Sequence, residues 1–204
     1  MTENTPYLTI ATRNRHKTQE IREILGPEFP IRDLCEFDDI PEIEEAGKTF
    51  EENAILKAVT ASTRVRGVIM ADDSGIEVDA LDGAPGVYSA RYAGQPSNDQ
   101  RNIEKLLLEF ERSDPQKLRR EARFRCVLAF ASNGELGKTF SGEVEGTIID
   151  APRGSGGFGY DPIFVPNGFA QTFGELPTTI KNQLSHRARA LSQAKSFLRT
   201  ALRT

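Results

Sequence analysis

The chain has 204 residues, 38% of them hydrophobic, which is enough for one good core or two small lobes and predicts a single domain over 1–204. Its 26 basic and 30 acidic residues give a formal net charge of -4. That balance argues against a general nucleic-acid binder, while a small anionic ligand remains open.

The chain begins MTENTPYLTIA, without the basic start and long apolar stretch of a signal peptide. No window approaches the ~18 apolar residues of a membrane span. Cys35 and Cys126 are the only cysteines, both in or beside apolar runs, too few for a disulfide framework or a thiolate metal site. Together these features predict a cytoplasmic protein with no membrane attachment.

Tyr7 to Ala11 reads as a short apolar strand, and Thr18 to Leu25 as a helix with Ile21, Ile24 and Leu25 at helical spacing, stopped by Gly26. An acidic loop covers Glu36 to Glu45. Thr49-Phe50-Glu51-Glu52 then has capping-box spacing and opens a helix to about Arg66, ended by Gly67. Val68 to Ala71 is a buried strand and Ile76 to Ala80 a half-exposed one, with turns at Asp82-Gly83 and Pro85-Gly86. Ser97 to Gln100 repeats the capping pattern before a helix with an Ile103, Leu106, Leu107 and Phe110 stripe, broken at Asp114-Pro115. Strands follow at Arg123 to Ala131 and within Lys138 to Asp150, with a hairpin turn signal at Asn133-Gly134. Leu184, Ala188, Leu191, Leu198 and Leu202 mark one long amphipathic C-terminal helix. The expected class is α/β, a mixed central β-sheet flanked by helices, in two lobes around an active-site cleft.

Three charge clusters carry candidate chemistry. Thr12-Arg13-Asn14-Arg15-His16-Lys17 lies between a strand end and a helix start, where free N–H groups favour an anion. A phosphate site and a solvated basic loop are both compatible with it. Glu42, Glu44 and Glu45 precede Asp72-Asp73-Ser74, placed just after the buried strand; adjacent carboxylates there need a cation, hydrogen bonds or a shifted pKa. Mg²⁺ suits such hard oxygens, and helix capping or solvated glutamates are the alternatives. Lys181 with Ser185-His186-Arg187 gathers donors near the start of the last helix, or forms its ordinary basic face.

Gly154 to Gly159 matches G-x-G-x-x-G, but the prolines at 162 and 166 bracket the following apolar run and exclude the helix that a dinucleotide fold requires. A Walker loop is excluded by the lack of a Gly-Lys-Ser/Thr ending. Locally a structural glycine turn competes with a loop that approaches a flat ligand. Phosphate-attracting groups, a carboxylate pair and a Gly-rich aromatic loop together suggest binding or hydrolysis of a nucleoside phosphate.

The stretches TRNRHKTQEI, EEAGKTFEENAILKA, ADDSGIEVDALDGAPGVYSARYAG, GFGYDPIF and KNQLSHRARAL resemble, in order, the motifs of the inosine/xanthosine triphosphate pyrophosphatase family over nearly the whole chain. The resemblance implies a homodimeric, Mg²⁺-dependent enzyme that hydrolyses ITP, dITP and XTP to the monophosphate and pyrophosphate, without nucleic-acid or membrane partners. It implies that Thr12 to Lys17 hold the triphosphate, that Glu44 and Asp73 bind magnesium with Glu45 and Asp72 sharing the shell, and that Asp73 accepts the proton of the attacking water. Ser74, Phe158, Gly159, Tyr160, Asp161, Lys181, His186 and Arg187 match substrate-contacting positions, and Asn53 and Lys57 share a helix face toward phosphate. Phe158 or Tyr160 would stack on the purine, with Asp161 bonding the base or bracing the loop. His186, Arg187 or backbone N–H groups would address O6 and reject adenine. Three positions depart from the family pattern: Arg13 for a small residue, Ala46 for threonine, and Gly174 where alanine is frequent. A pyrophosphatase for modified pyrimidines or methylated bases, and a non-catalytic nucleotide sensor, are the competing functions.

Overall fold

Residues 7–116 and 118–202 are described by a computed structural model of the chain. Their elements run β1 (Leu8–Ile10), α1 (Arg15–Leu25), β2 (Ile31–Asp33), α2 (Phe50–Ser62), β3 (Val68–Val78), α3 (Asp99–Ser113), β4 (Glu121–Ser132), β5 (Glu135–Ile148), β6 (Phe164–Pro166), α4 (Thr178–Leu184) and α5 (His186–Ala201). The strands form one sheet ordered β2-β1-β3-β4-β5-β6, with β1 parallel to β2 and β3, and β5 antiparallel to β6. The expected α/β class with a mixed sheet and flanking helices is therefore present.

Local chemistry explains most element boundaries. Thr49 and Glu52 make the reciprocal capping box at α2, and Asn98, one residue past the expected serine, caps α3 by accepting from the Arg101 N–H. Asn133 and Gly134, at φ 52° and 82°, supply the positive angles needed to join β4 to β5 through two residues.

Three expectations change. β3 does not stop at Ala71 but runs through Asp72, Asp73, Ser74 and Gly75 to Val78, so the aspartate pair lies inside the strand. α2 ends at Ser62, four residues before Arg66. The long C-terminal helix is two helices, because Ser185 at φ -63° and ψ 158° is extended and its N–H closes α4 on the Lys181 carbonyl.

The chain divides into two compact units. The first takes residues up to Asp73, Cys126–Gly142 and those from Arg187 onward. Its core joins Leu8 and Ile10 of β1, Ile21 and Leu25 of α1, Met70 of β3, Leu128 and Phe130 of β4, and Ala190, Leu191, Ala194 and Leu198 of α5. Leu8 pairs with Val68 and Ile10 with Met70, so Thr12 and Asp72 each stand two residues past the last paired position.

The second unit takes Ser74–Arg125 and Glu143–His186. The Ile103, Leu106 and Phe110 stripe of α3 is buried there with Phe124, Phe164, Phe173 and Tyr160. Phe124 meets Phe164 edge-to-face at 4.8 Å between ring centroids. Tyr160 is 4% exposed, and its hydroxyl donates to the Ser89 carbonyl at 2.9 Å.

Burial of that hydroxyl makes its one acceptor a measurable contributor to the second unit. Tyr160→Phe should lower stability by about 1 to 2 kcal/mol in urea denaturation, the usual cost of leaving a buried polar partner unmet.

Candidate functional site

Residue 14 organises the start of α1. The Asn14 side chain accepts from the His16 and Lys17 N–H groups at 2.9 and 3.2 Å, and its own N–H donates to Thr12 Oγ1 at 3.1 Å. The first turn contains Arg15, His16 and Lys17 and no acid, an arrangement that opposes the helix dipole unless an anion is present. Arg15 and His16 are exposed, and Lys17 is half-buried. Arg13 also has partners within the protein. Its guanidinium donates to the carbonyls of Leu34, Phe37 and Ile40 at 2.8, 3.1 and 2.6 Å, which ties the loop before α1 to the segment after β2.

Strand geometry separates the two aspartates. Neighbouring side chains on β3 point to opposite faces, so Asp72 shares the face of Met70, while Asp73 faces away. On the first face Asp72 receives Lys17 Nζ at 2.7 Å, Arg187 Nε at 2.8 Å and the Cys126 thiol at 3.2 Å. Arg187 also pairs with Glu20 at 3.2 Å. Burial alone would raise the Asp72 pKa, but Arg187 and Lys17 outweigh it and hold the carboxyl well below the ordinary range. Burial and the Asp72 charge push the Cys126 thiol up, so it serves as a neutral S–H donor.

On the second face Asp73 meets α2. Asn53 and Lys57, one turn apart and both buried, reach its two oxygens at 3.3 and 2.7 Å. Asn53 is itself fixed by the Gly47 N–H, which donates to its Oδ1 at 2.8 Å. The Lys57 ammonium also meets Glu45 Oε1 at 2.6 Å and the Asp72 carbonyl at 3.0 Å. Burial pushes the Asp73 pKa up, and Glu45 adds to that rise; Lys57 and Lys17 offset only part of it. Burial alone would lower the Lys57 pKa, but Asp73 and Glu45 overcome it and hold it above the usual value.

These contacts sort the four carboxylates expected around a metal. Asp73 and Glu45 converge on one cationic position, the Lys57 ammonium, and form a hard-oxygen pair. Asp72 is occupied by Arg187 and Lys17, and Glu44 is exposed. No group of three or more His, Cys, Asp or Glu residues is gathered for an ion among the described residues. A pair fits magnesium, which takes one or two carboxylates and completes its shell with water and phosphate oxygens.

In the second unit the glycine loop is held by carboxylates. Asp161 Oδ2 accepts from the Phe158 N–H at 2.8 Å and from Lys181 Nζ at 2.6 Å. Gly157, at φ 71°, has no room for a side chain, since a Cβ there would stand 1.9 Å from the same oxygen. Asp161 therefore braces the loop. Tyr160 belongs to the core, leaving Phe158 as the half-buried aromatic of the loop, with the Lys181 ammonium 4.9 Å from its ring centre. His186 stacks on Phe124 at 4.9 Å. Ser74 is half-buried. Gly174 donates to the Asp161 carbonyl and accepts from the Gly156 N–H; a Cβ at this position would lie 2.8 Å from the Arg153 carbonyl oxygen, which accounts for glycine here.

Two groups near the base-side positions have partners within the protein. Arg187 is 1% exposed and held by Asp72 and Glu20. The Phe158 N–H is given to Asp161. Glu20 and Cys126 were missed by sequence reasoning. The signal for Glu20 was a glutamate beside Ile21 on the buried stripe of α1, three residues after Lys17; Cys126 gave only its apolar setting.

The family model described as the Ham1 family matches residues 8–197. The chain is 52% identical over 192 residues to a dITP/XTP pyrophosphatase of Geobacter sulfurreducens, covering 94% of this chain and 96% of that protein. It is 50% identical over 190 residues to a dITP/XTP pyrophosphatase of Bacillus subtilis, covering 93% and 95%. Among solved structures, a HAM1 protein from Coxiella burnetii superposes with a TM-score of 0.84 at 40% identity, covering 96% of this chain and all of that one (100%). The Staphylococcus aureus Ham1 protein gives 0.82 at 40% identity, covering 95% and 98%.

Asp72→Asn should cost about 3 to 5 kcal/mol in denaturant unfolding, because the buried Arg187 loses its nearer carboxylate. The Asp72 pKa is lower in the folded than in the unfolded state. Its stabilisation is therefore complete above the ordinary carboxylate value of about 3.9 and is lost as the pH falls through the depressed folded value. The variant should show a flatter acid limb in a plot of stability against pH.

Proposed function

Since the chain belongs to the Ham1 family, we propose that it hydrolyses deaminated purine nucleoside triphosphates, ITP, dITP and XTP, to the monophosphate and pyrophosphate. The observation that carries this beyond the family is the pairing of Asp73 and Glu45 on one cationic position while Asp72 is occupied elsewhere. That arrangement supports one carboxylate for proton transfer beside a hard-oxygen cation site.

The polyphosphate is assigned to the first unit, where Thr12, Asn14 and Lys17 lie at the start of α1 and Lys57 lies beside Asp73. Glu45 and Asp73 would hold Mg²⁺, with Glu44 at the exposed edge of the same loop. Magnesium bound there neutralises phosphate charge that would otherwise repel a nucleophile. Asp73 accepts a proton from the attacking water, as a carboxylate beside the cation position that it shares with Glu45. The water oxygen forms a bond to the α-phosphorus as the bond from that phosphorus to the bridging oxygen breaks, and pyrophosphate leaves with the electron pair.

The base is assigned to the second unit. Phe158 supplies a face for stacking, and Lys181 is the donor beside it. A donor directed at O6 meets adenine's own N–H₂ instead, and such mismatched buried hydrogen bonding supplies discrimination on the order of 10⁴. A homodimer in the cytoplasm, without nucleic-acid or membrane partners, completes the proposal. No helix among the described residues is long and apolar enough to cross a membrane.

Pyrophosphate release measured across a nucleotide panel tests the substrate class. Deaminated purines should exceed ATP and GTP, and a preference for modified pyrimidines would overturn the assignment. Asp73→Asn should lose most turnover, on the order of 10²-fold or more, while still binding nucleotide. Phe158→Ala should raise KM for ITP with little change in unfolding midpoint.

A further inference from the structure

The ring assigned to the base sits on a backbone that would otherwise be loose. Gly157 and Gly159 flank Phe158, at φ 71° and 61°, and glycines restrict the chain least of all residues. Three consecutive residues are nevertheless tied to three different places. The Phe158 N–H donates to Asp161, the Gly159 N–H donates to Asp99 Oδ2 at 2.7 Å, and the Tyr160 hydroxyl donates to the Ser89 carbonyl. Of these, Asp161 belongs to the loop itself, and Tyr160 anchors the loop's far end in the core. Asp99 reaches Gly159, next to Phe158, from a regular element.

That element is well determined. Asn98 caps α3 through the Arg101 N–H at 2.9 Å, and Ile103, Leu106 and Phe110 bury its inner face. Asp99 is the first residue of the helix, where the dipole favours a carboxylate. Its bond to Gly159 spans 60 residues of sequence and joins a rigid helix to a glycine-rich loop.

We propose that Asp99 is a positioning residue for base recognition: by holding the Gly159 N–H it sets where the Phe158 ring stands. The proposal rests on the assignment of Phe158 to the base. Asp99 makes no contact with the base itself; its effect falls on substrate affinity and leaves the chemical step alone.

The test compares wild type, Asp99→Ala and Asp99→Asn in ITP hydrolysis and in amide hydrogen exchange at Gly159. Asp99→Ala should raise KM for ITP about fivefold with kcat within about twofold, and speed Gly159 exchange about tenfold. Asp99→Asn keeps a carbonyl acceptor and should restore both. An unchanged KM in Asp99→Ala, with exchange accelerated, would reduce the bond to a structural tie and overturn the proposal. So would unchanged Gly159 exchange, or an Asn variant no better than the Ala one. Absence of ITP hydrolysis in the wild type would instead sink the functional assignment, and the Gly159 exchange would still report whether Asp99 holds the loop.

Discussion

A strand that carries two adjacent carboxylates through a protein interior must dispose of both charges. β3 does so by its pleat: Asp72 and Asp73 point to opposite faces, and each face brings a lysine of its own. α1 and α5 are organised around the first carboxylate through Lys17, Glu20 and Arg187, and α2 around the second through Asn53 and Lys57. Neither face tolerates the loss of its counter-charges, since an unpaired buried ion is far more costly than an exposed one.

The same geometry divides the labour. Asp72 is held by two cations and its proton affinity drops, while Asp73 is raised by burial and by Glu45. Two chemically identical neighbours are thus driven in opposite directions by environment. The first becomes a stable anchor of the fold and the second a group able to take up a proton. Arg187, which by sequence position belongs with the base-side donors, is part of the anchor.

Much of this was legible in the chain, and the limits have physical causes. The α2 capping box, the Asn-Gly turn and helical apolar stripes are local signals, and those elements formed near where they were expected, though α2 ends early and α3 is capped one residue later. The motif resemblance picked out the same stretches that gather the buried ion pairs and the braced glycine loop. Two of the three changed boundaries have causes outside any short window. β3 continues through Asp72 and Asp73 because cations distant in sequence neutralise them, and the last helix breaks at Ser185 although its apolar spacing runs on. Partnerships were harder to foresee than elements. Which groups of the protein Arg13, Tyr160 or Arg187 meets depends on which segment folds back beside it, and composition at the residue holds no record of that.

Arg13 illustrates what such a partnership leaves behind. Three of its five N–H donors go to backbone carbonyls, which are neutral, so the guanidinium keeps its whole positive charge. Beside an α1 first turn that already holds three basic residues, that charge adds to the field felt by an approaching polyanion. A small residue at this position would give up both the ties to the segment after β2 and part of the long-range attraction that governs how fast an anion arrives. One side chain thus serves both as a brace for the loop before α1 and as a source of positive field at the helix start.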